Sequence, residues 1–399
     1  LRPRDAGEVA EFLRAHAQSA TPVVLRGGGG KTAFGRPPEP GDATLDLGGL
    51  AGVTLYEPEE LVLTARPGTP LADIAAVIAQ RRQCLGFEPP EFGALFGVPD
   101  RLSTLGGAVG SGWSGPRRIR AGAVRDHVLG AAAIGGDGRI FRSGGRVVKN
   151  VTGFDLPKLL TGSHGTLAAM TEITIKVSPA PETSRTLVVW GLDDQAAIRL
   201  LGDALGGPFD IAGAAHLPDA AAGRSAARAV ATAGGAATLI RLEGFGPSVQ
   251  DRLQALMRRI GAADRAVLDG EPAAALWAEI RDVARLIDPD AMLWRLSVAP
   301  ADAAETVARI RRSIPADALY DWAGGLVWLA VAADEGCARI VRGALSTGHA
   351  LLMRAPPALR TAIPVFHPRP AAVAALEARV KAAFDPAGIL SPRLRLPEF

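Results

Sequence analysis

Val9, Phe12, Leu13 and His16 fall on one helical face, which predicts a first helix. The apolar run Pro22-Val23-Val24-Leu25 that follows reads as a buried strand, and it delivers the glycine string Arg26-Gly27-Gly28-Gly29-Gly30-Lys31. Leu61 to Ala65 reads as another short strand, and Leu71, Ile74, Ala75 and Ile78 mark the inner side of a helix from Leu71 to about Arg82. From Pro89 to Gly122 no period survives, and Gly, Ser and Pro predict a loop wrapped around something rather than a packed layer. Strands resume at Val128. Ile173, Ile175 and Val177 alternate with Glu172, Thr174 and Lys176, the pattern of a half-buried strand, before Ser178-Pro179-Ala180-Pro181-Glu182 breaks it.

Beyond that break the rhythm repeats. Strand-like runs at Thr186 to Trp190, Ile211 to Ala215, Thr238 to Leu242 and Ala266 to Leu268 enclose helices near Asp194 to Leu205 and Ser248 to Ile260. After a connecting helix near Ala273 to Ile287, the order recurs from Met292 to Met353, which suggests two β-α-β-β-α-β units. The Ala-Gly-Arg stretch Ala220 to Gly235 reads as a poorly ordered loop. Val373, Leu376, Val380 and Phe384 lie on one face of a last helix, which Asp385-Pro386-Ala387-Gly388 ends. The expected organisation is a domain at 1–180, a second at 181–355 and a C-terminal segment at 356–399.

With 399 residues, the chain exceeds one usual core. A formal net charge of +3 gives no reason to expect nucleic acid as a partner. Cys84 and Cys337 stand far apart, which excludes an iron–sulfur cluster or a zinc site of this chain's own and leaves two small apolar fillers. No apolar run is long enough to cross a membrane and no signal-peptide core opens the chain, so a soluble cytoplasmic protein is expected, with any membrane association made through partners. The glycine string with Lys31-Thr32 invites comparison with a nucleotide-triphosphate loop. Leu25 stands where that loop needs glycine, and Pro37-Pro38 deny it the following helix. Anion binding by the string's backbone N–H groups and a plain surface turn both remain open from these residues alone.

Three ordered blocks go further. They are Arg26-Gly27-Gly28-Gly29-Gly30; Ser103-Thr104-Leu105-Gly106-Gly107-Ala108 through Ser114-Gly115, Arg118 and Gly122 to Asp126; and the stretch from Val128 to Pro179, with Gly144-Gly145, Val148-Lys149-Asn150, Thr152-Gly153-Phe154-Asp155-Leu156, Gly162-Ser163 and Gly165-Thr166-Leu167. Together they closely resemble the flavin-binding region of the vanillyl-alcohol-oxidase-type (PCMH-type) family. The resemblance implies an α+β fold: a two-subdomain FAD-binding domain, then a cap of ferredoxin-like repeats, with the C-terminal segment returning to the flavin. Arg26 to Lys31 would then face the FAD pyrophosphate, and Thr104, Gly106 and Gly107 would do so from a short helix whose first N–H groups are free. Ser114, Gly115, Arg118 and Gly122 belong to the same block, and Glu172 and Ile173 would wall the adenosine side. Lys149 and Asp155 read either as a surface ion pair or as residues beside the flavin. His164, where many relatives carry Glu, reads as a local variant, and His127 as a structural or surface residue. With Gly30 and Lys31 where some relatives place a flavin-linking histidine, non-covalent FAD is expected.

Relatives that oxidise 2-hydroxy acids alone carry a histidine-rich motif in the second half. Here His216, His349 and His367 are isolated, so no metal is expected. Phe366-His367-Pro368-Arg369 pairs a proton acceptor with a carboxylate clamp, or is a plain loop. The combination most resembles the smaller FAD-binding (E-type) subunits of bacterial glycolate oxidases. It implies a larger FAD-binding catalytic subunit and an iron–sulfur subunit as partners and a small 2-hydroxy acid as substrate. The alternatives are a self-sufficient D-2-hydroxy acid dehydrogenase using His367 and Arg369, and a non-catalytic scaffold subunit with structural FAD.

Overall fold

The computed structural model describes residues 1–146, 153–392 and 394. The chain forms two compact units: Leu1–Ser114 with Gly122–Ala180 and Pro368–Phe399, and Gly115–Ala121 with Pro181–His367.

In the first unit Asp5 caps the helix Ala6–Gln18 by accepting the Glu8 N–H (2.9 Å), and Val9, Ala10 and Leu13 bury its inner face. Strands β1 (Val23–Arg26) and β2 (Ala43–Asp46) pair in parallel. Then come β3 (Val53–Glu57), β4 (Val62–Ala65), β5 (Gln83–Cys84), β6 (Val128–Gly135), β7 (Ile140–Gly144), β8 (Ala168–Lys176) and β9 (Ser178–Pro179). A five-stranded sheet has the order β3-β4-β8-β6-β7, and β5 pairs with β9. Its central strand β8 is buried on both faces rather than on one. The polar position Thr174 is covered as well, its hydroxyl bonded to that of Thr64 on β4 (2.9 Å). The stretch read from its composition as a loop contains the helix Leu105–Ser111, capped by Thr104, where the resemblance implies a short helix.

The C-terminal helix Ala371–Phe384 seats Val380 and Phe384 against the core, whereas Val373 and Leu376 stay exposed. Beyond it the Asp385 carboxylate, itself buried, accepts the N–H groups of Ile389 (3.1 Å) and Leu390 (2.7 Å) and takes the Lys381 ammonium. This turn sets Leu390 beside Val23, where the Val23 N–H donates to Ile389 O (2.7 Å) and the Ser391 N–H to Val23 O (2.8 Å). The end of the described chain thus lies along β1, the strand that carries the glycine string.

The second unit is built on one eight-stranded antiparallel sheet. Its strands are β10 (Thr183–Trp190), β11 (Ile211–Leu217), β12 (Ala237–Gly244), β13 (Arg265–Leu268), β14 (Ala291–Ser297), β15 (Ala316–Asp321), β16 (Leu326–Ala332) and β17 (His349–Arg354), in the order β13-β10-β12-β11-β15-β16-β14-β17. Each half reads strand, helix, two strands, helix, strand, and within the sheet, among the described residues, the halves pair at His216 and Tyr320. Helices Asp194–Leu205, Gly246–Ile260, Ala303–Arg311 and Glu335–Gly343 press Leu201, Leu253, Val307 and Val341 into one core with Val189, Ile240, Trp294 and Leu329.

Three expectations change here. Residues Ala220 to Gly235 are folded: the helix Asp219–Gly223 and a turn at Arg228–Ala231 are held because Glu279 accepts from the Ser225 hydroxyl (2.9 Å) and the Ala226 N–H (2.8 Å). Residues 115–121 join the second unit, since Arg117 forks onto the buried Glu243 carboxylate (2.8 and 2.9 Å) and the Trp322 indole donates to Gly115 O (3.1 Å). Residues 356–367 also join it, through the Leu352 N–H to Val365 O (2.9 Å). No helix among the described residues is long and apolar enough to cross a membrane.

Candidate functional site

A cavity of about 470 Å³ opens in the first unit at the end of β1, within the size range of small-molecule sites, about 300–1,000 Å³. Its lining includes the glycine string to Phe34, residues between Leu102 and Ser111, Trp113, His164-Gly165, and Ser391-Pro392 with Leu394.

The chain leaves its strand as Gly27-Gly28-Gly29-Gly30, and among the described residues these four N–H groups meet no protein acceptor. Unpaired backbone donors in a row form a concavity for an anion. Space demands glycine there: a Cβ added at Gly28 would lie 2.0 Å from the Leu102 carbonyl oxygen. Turns, not a helix, follow Lys31, as a loop that is not a triphosphate cradle requires. Burial pushes the Lys31 ammonium down to about 8, with the Glu91 carboxylate opposing, and the ammonium stands 5.8 Å from the Trp113 ring. Arg26 spends its charge on Asp46 (2.8 Å).

Thr104, Gly106 and Gly107 also line the cavity, but the first turn of their helix is not free. Leu105 N–H donates to Thr69 O (2.9 Å), Gly106 N–H to Pro67 O (2.8 Å) and Gly107 N–H to the Thr104 hydroxyl (3.3 Å). The expected set of open donors is therefore absent at this helix, because the β4 side of the unit packs against it. A Cβ at Gly106 would come 2.6 Å from Pro67 Cβ, so this glycine serves close packing.

An aromatic wall was not foreseen. His164, at φ +53°, stacks on Phe34 (5.0 Å, 23°) and meets Trp113 edge-on (5.7 Å), with Phe96 parallel to Trp113 and Phe92 tilted behind it. The chain has only 20 Phe, Trp and Tyr residues, and four of them gather here. A flat ligand finds a surface to stack on. The one available signal was a histidine between Ser163 and Gly165 in a turn, a place where positive φ is tolerated.

Among the described residues, the other expected ones do not line this cavity. Ser114 accepts the Val124 N–H (3.0 Å) and Asp155 caps the helix Leu156–Leu160. Glu172 pairs with Arg142 (2.9 Å), Ile173 is buried in β8, and Gly122 turns beside Asp126. Gly115 and Arg118 belong to the second unit. Lys149 lies outside the described residues. His367 accepts the Ala350 N–H at Nδ1 (3.4 Å), and Arg369 faces Glu377 (3.7 Å). His127 is buried against Phe87. Among the described residues no group of three or more metal-ligating side chains occurs.

A sequence profile described as an FAD binding domain matches residues 1–144. Over 375 residues the chain is 34% identical to the glycolate oxidase subunit GlcE of Escherichia coli (strain K12), taking in 93% of this chain and 92% of that protein. The chain belongs to the GlcE family of FAD-binding oxidoreductases. The glycolate oxidase subunit GlcD of Bacillus subtilis (strain 168) is 30% identical over 203 residues, which is 51% of this chain and 42% of that protein. The fold is shared with p-cresol methylhydroxylase, whose substrate-bound structure superposes with a TM-score of 0.73 at 15% identity, over 98% of this chain and 87% of that one. For a GlcE-family chain the cavity suits the cofactor of the matching profile. Free N–H donors and Lys31 answer a pyrophosphate, and the aromatic wall answers a flat ring.

Proposed function

We propose that this chain is the smaller FAD-binding subunit of a glycolate (2-hydroxy acid) oxidase complex, partnered by a larger flavin subunit and an iron–sulfur subunit. The observation that carries the reading is the reach of the GlcE likeness: it runs through both units, whereas the GlcD likeness covers about half of the chain. FAD, when bound, supplies a two-electron acceptor for oxidation of the hydroxy acid. This chain's residues bind and orient it. Gly27 to Gly30 and Lys31 hold the pyrophosphate, and Phe34, Trp113 and His164 exclude water from a planar portion. Ser391, Pro392 and Leu394 bring the C-terminal segment to the same wall. The FAD is held without a covalent bond, and the sheet of the second unit is a cap of two ferredoxin-like halves.

Anaerobic absorbance of the pure chain with excess glycolate tests the proposal. A flavin band that stays oxidised alone and bleaches once the partner subunits are added is the expected result, with all flavin released by acid precipitation. Bleaching by the chain alone, lost in His367→Ala, would instead make it a self-sufficient dehydrogenase that uses His367 and Arg369. A band that substrate never bleaches, even in the complex, would leave a scaffold.

A further inference from the structure

Arg295 lies in the middle of β14 between Trp294 and Leu296, both of which face the helix-side core. Alternation along a strand puts Arg295 on the opposite face of the sheet. It is only 9% exposed, yet among the described residues its guanidinium has no hydrogen bond and no ion pair. The group stands 5.2 Å from the centre of the Trp322 ring, and Arg118 stands 4.4 Å from that same ring. One indole therefore carries two guanidiniums.

The indole is firmly held. Trp322 adopts φ +53°, which a bulky residue rarely accepts, and Asp321 takes its backbone N–H (2.7 Å) while the ring N–H donates to Gly115 O (3.1 Å). Burial and the neighbouring Arg118 push Arg295 down to about 10, and the Asp321 carboxylate offsets this only in part. A nearly buried cation without a hydrogen-bond partner costs stability. Proteins keep such costly arrangements where a ligand completes them.

We propose that Arg295 and Arg118, set on Trp322, form a binding site in the second unit for the carboxylate of a small organic acid. Guanidinium forks match the two oxygens of a carboxylate, and the indole fixes their planes. The site itself rests on this geometry. Its occupant, a 2-hydroxy acid, rests on the proposed function.

Thermal unfolding of the full chain, titrated with glycolate, acetate, phosphate or chloride at constant ionic strength, tests the proposal. Glycolate and acetate should raise Tm saturably, and chloride and phosphate should not. Arg295→Met should begin from a higher Tm and lose the carboxylate shift, because a buried charge that Asp321 offsets only in part is gone. Arg295→Lys should keep a weakened shift, and Arg118→Met should raise the midpoint concentration about tenfold or more. A Tm indifferent to carboxylates, a shift given by phosphate alone, or an unaltered shift in Arg295→Met would each overturn it. Should Arg295→Met fail to fold, the Lys variant and Arg118→Met decide by the same criterion. Flavin absorbance of the same samples separates the two readings: a carboxylate shift in a chain that binds no FAD keeps the site and removes the oxidoreductase reading.

Discussion

Gly28 and Gly30 look alike in the sequence and differ in what surrounds them. A Cβ at Gly28 would strike the Leu102 carbonyl at 2.0 Å, whereas one at Gly30 would meet the Arg101 carbonyl at 3.4 Å. Gly28→Ala should therefore lose bound flavin and about 3 kcal/mol of stability, since backbone cannot step aside, while Gly30→Ala should keep both; flavin content and melting curves compare them. Lys31 allows a second prediction. In the free protein its ammonium titrates near pH 8, and an anionic ligand favours the protonated form. FAD affinity should hold below that pH and fall above it by up to about tenfold per pH unit. Lys31→Met should weaken binding about tenfold or more and flatten the profile, as fluorescence titration across pH would show. The glycine string was legible because close backbone approach leaves a mark in residue type. The aromatic wall was not, because Phe34, Trp113 and His164 come from distant segments and each alone reads as ordinary core.

Among the elements, the turn after the last helix brings Ser391 and Pro392 to the cavity. Asp385 is almost fully buried, and its carboxylate holds Lys381, Ile389 and Leu390 at once. Burial lowers the Lys381 pKa, and Asp385 opposes that loss. Asp385→Ala should remove about 3 kcal/mol, the cost of leaving such a partner unpaired, and release Ser391 and Pro392 from β1, with urea unfolding and flavin content as the measures. Helices were the most legible elements: Leu253 and Leu256, or Ile74 and Ile78, repeat at helical spacing and are buried as that spacing demands. Strand burial was less so. Alternation in β8 predicted one wet face, whereas residues on both of its faces are buried.

Across the whole molecule, the eight-stranded sheet depends on a narrow join. Where β11 meets β15, His216 and Tyr320 face each other, and Asp194 accepts from the Tyr320 hydroxyl (2.6 Å), the Arg311 guanidinium (2.8 Å) and His216 Nε2 (3.3 Å). Burial alone would raise the Asp194 pKa, but the bonds from His216 and Tyr320 and the charge of Arg311 outweigh it and hold the group below its usual value. A carboxylate so depressed stabilises the fold above its unfolded pKa, about 3.9, and that contribution vanishes as pH falls through the folded value. Tyr320→Phe should cost about 1.5–3 kcal/mol at neutral pH and less in acid, a difference that denaturant unfolding at the two pH values would reveal. His216 looked isolated in the sequence because Asp194 lies on a helix and Tyr320 in the other half of the sheet. By itself the sequence determined the strongly periodic helices and strands, since their apolar periods are local, and it marked the glycine string, since at Gly28 only glycine fits so close an approach. Tertiary structure alone decided which donors stay free for a ligand, which aromatic rings assemble beside them, and which buried charges meet partners, because each depends on segments that only folding brings together.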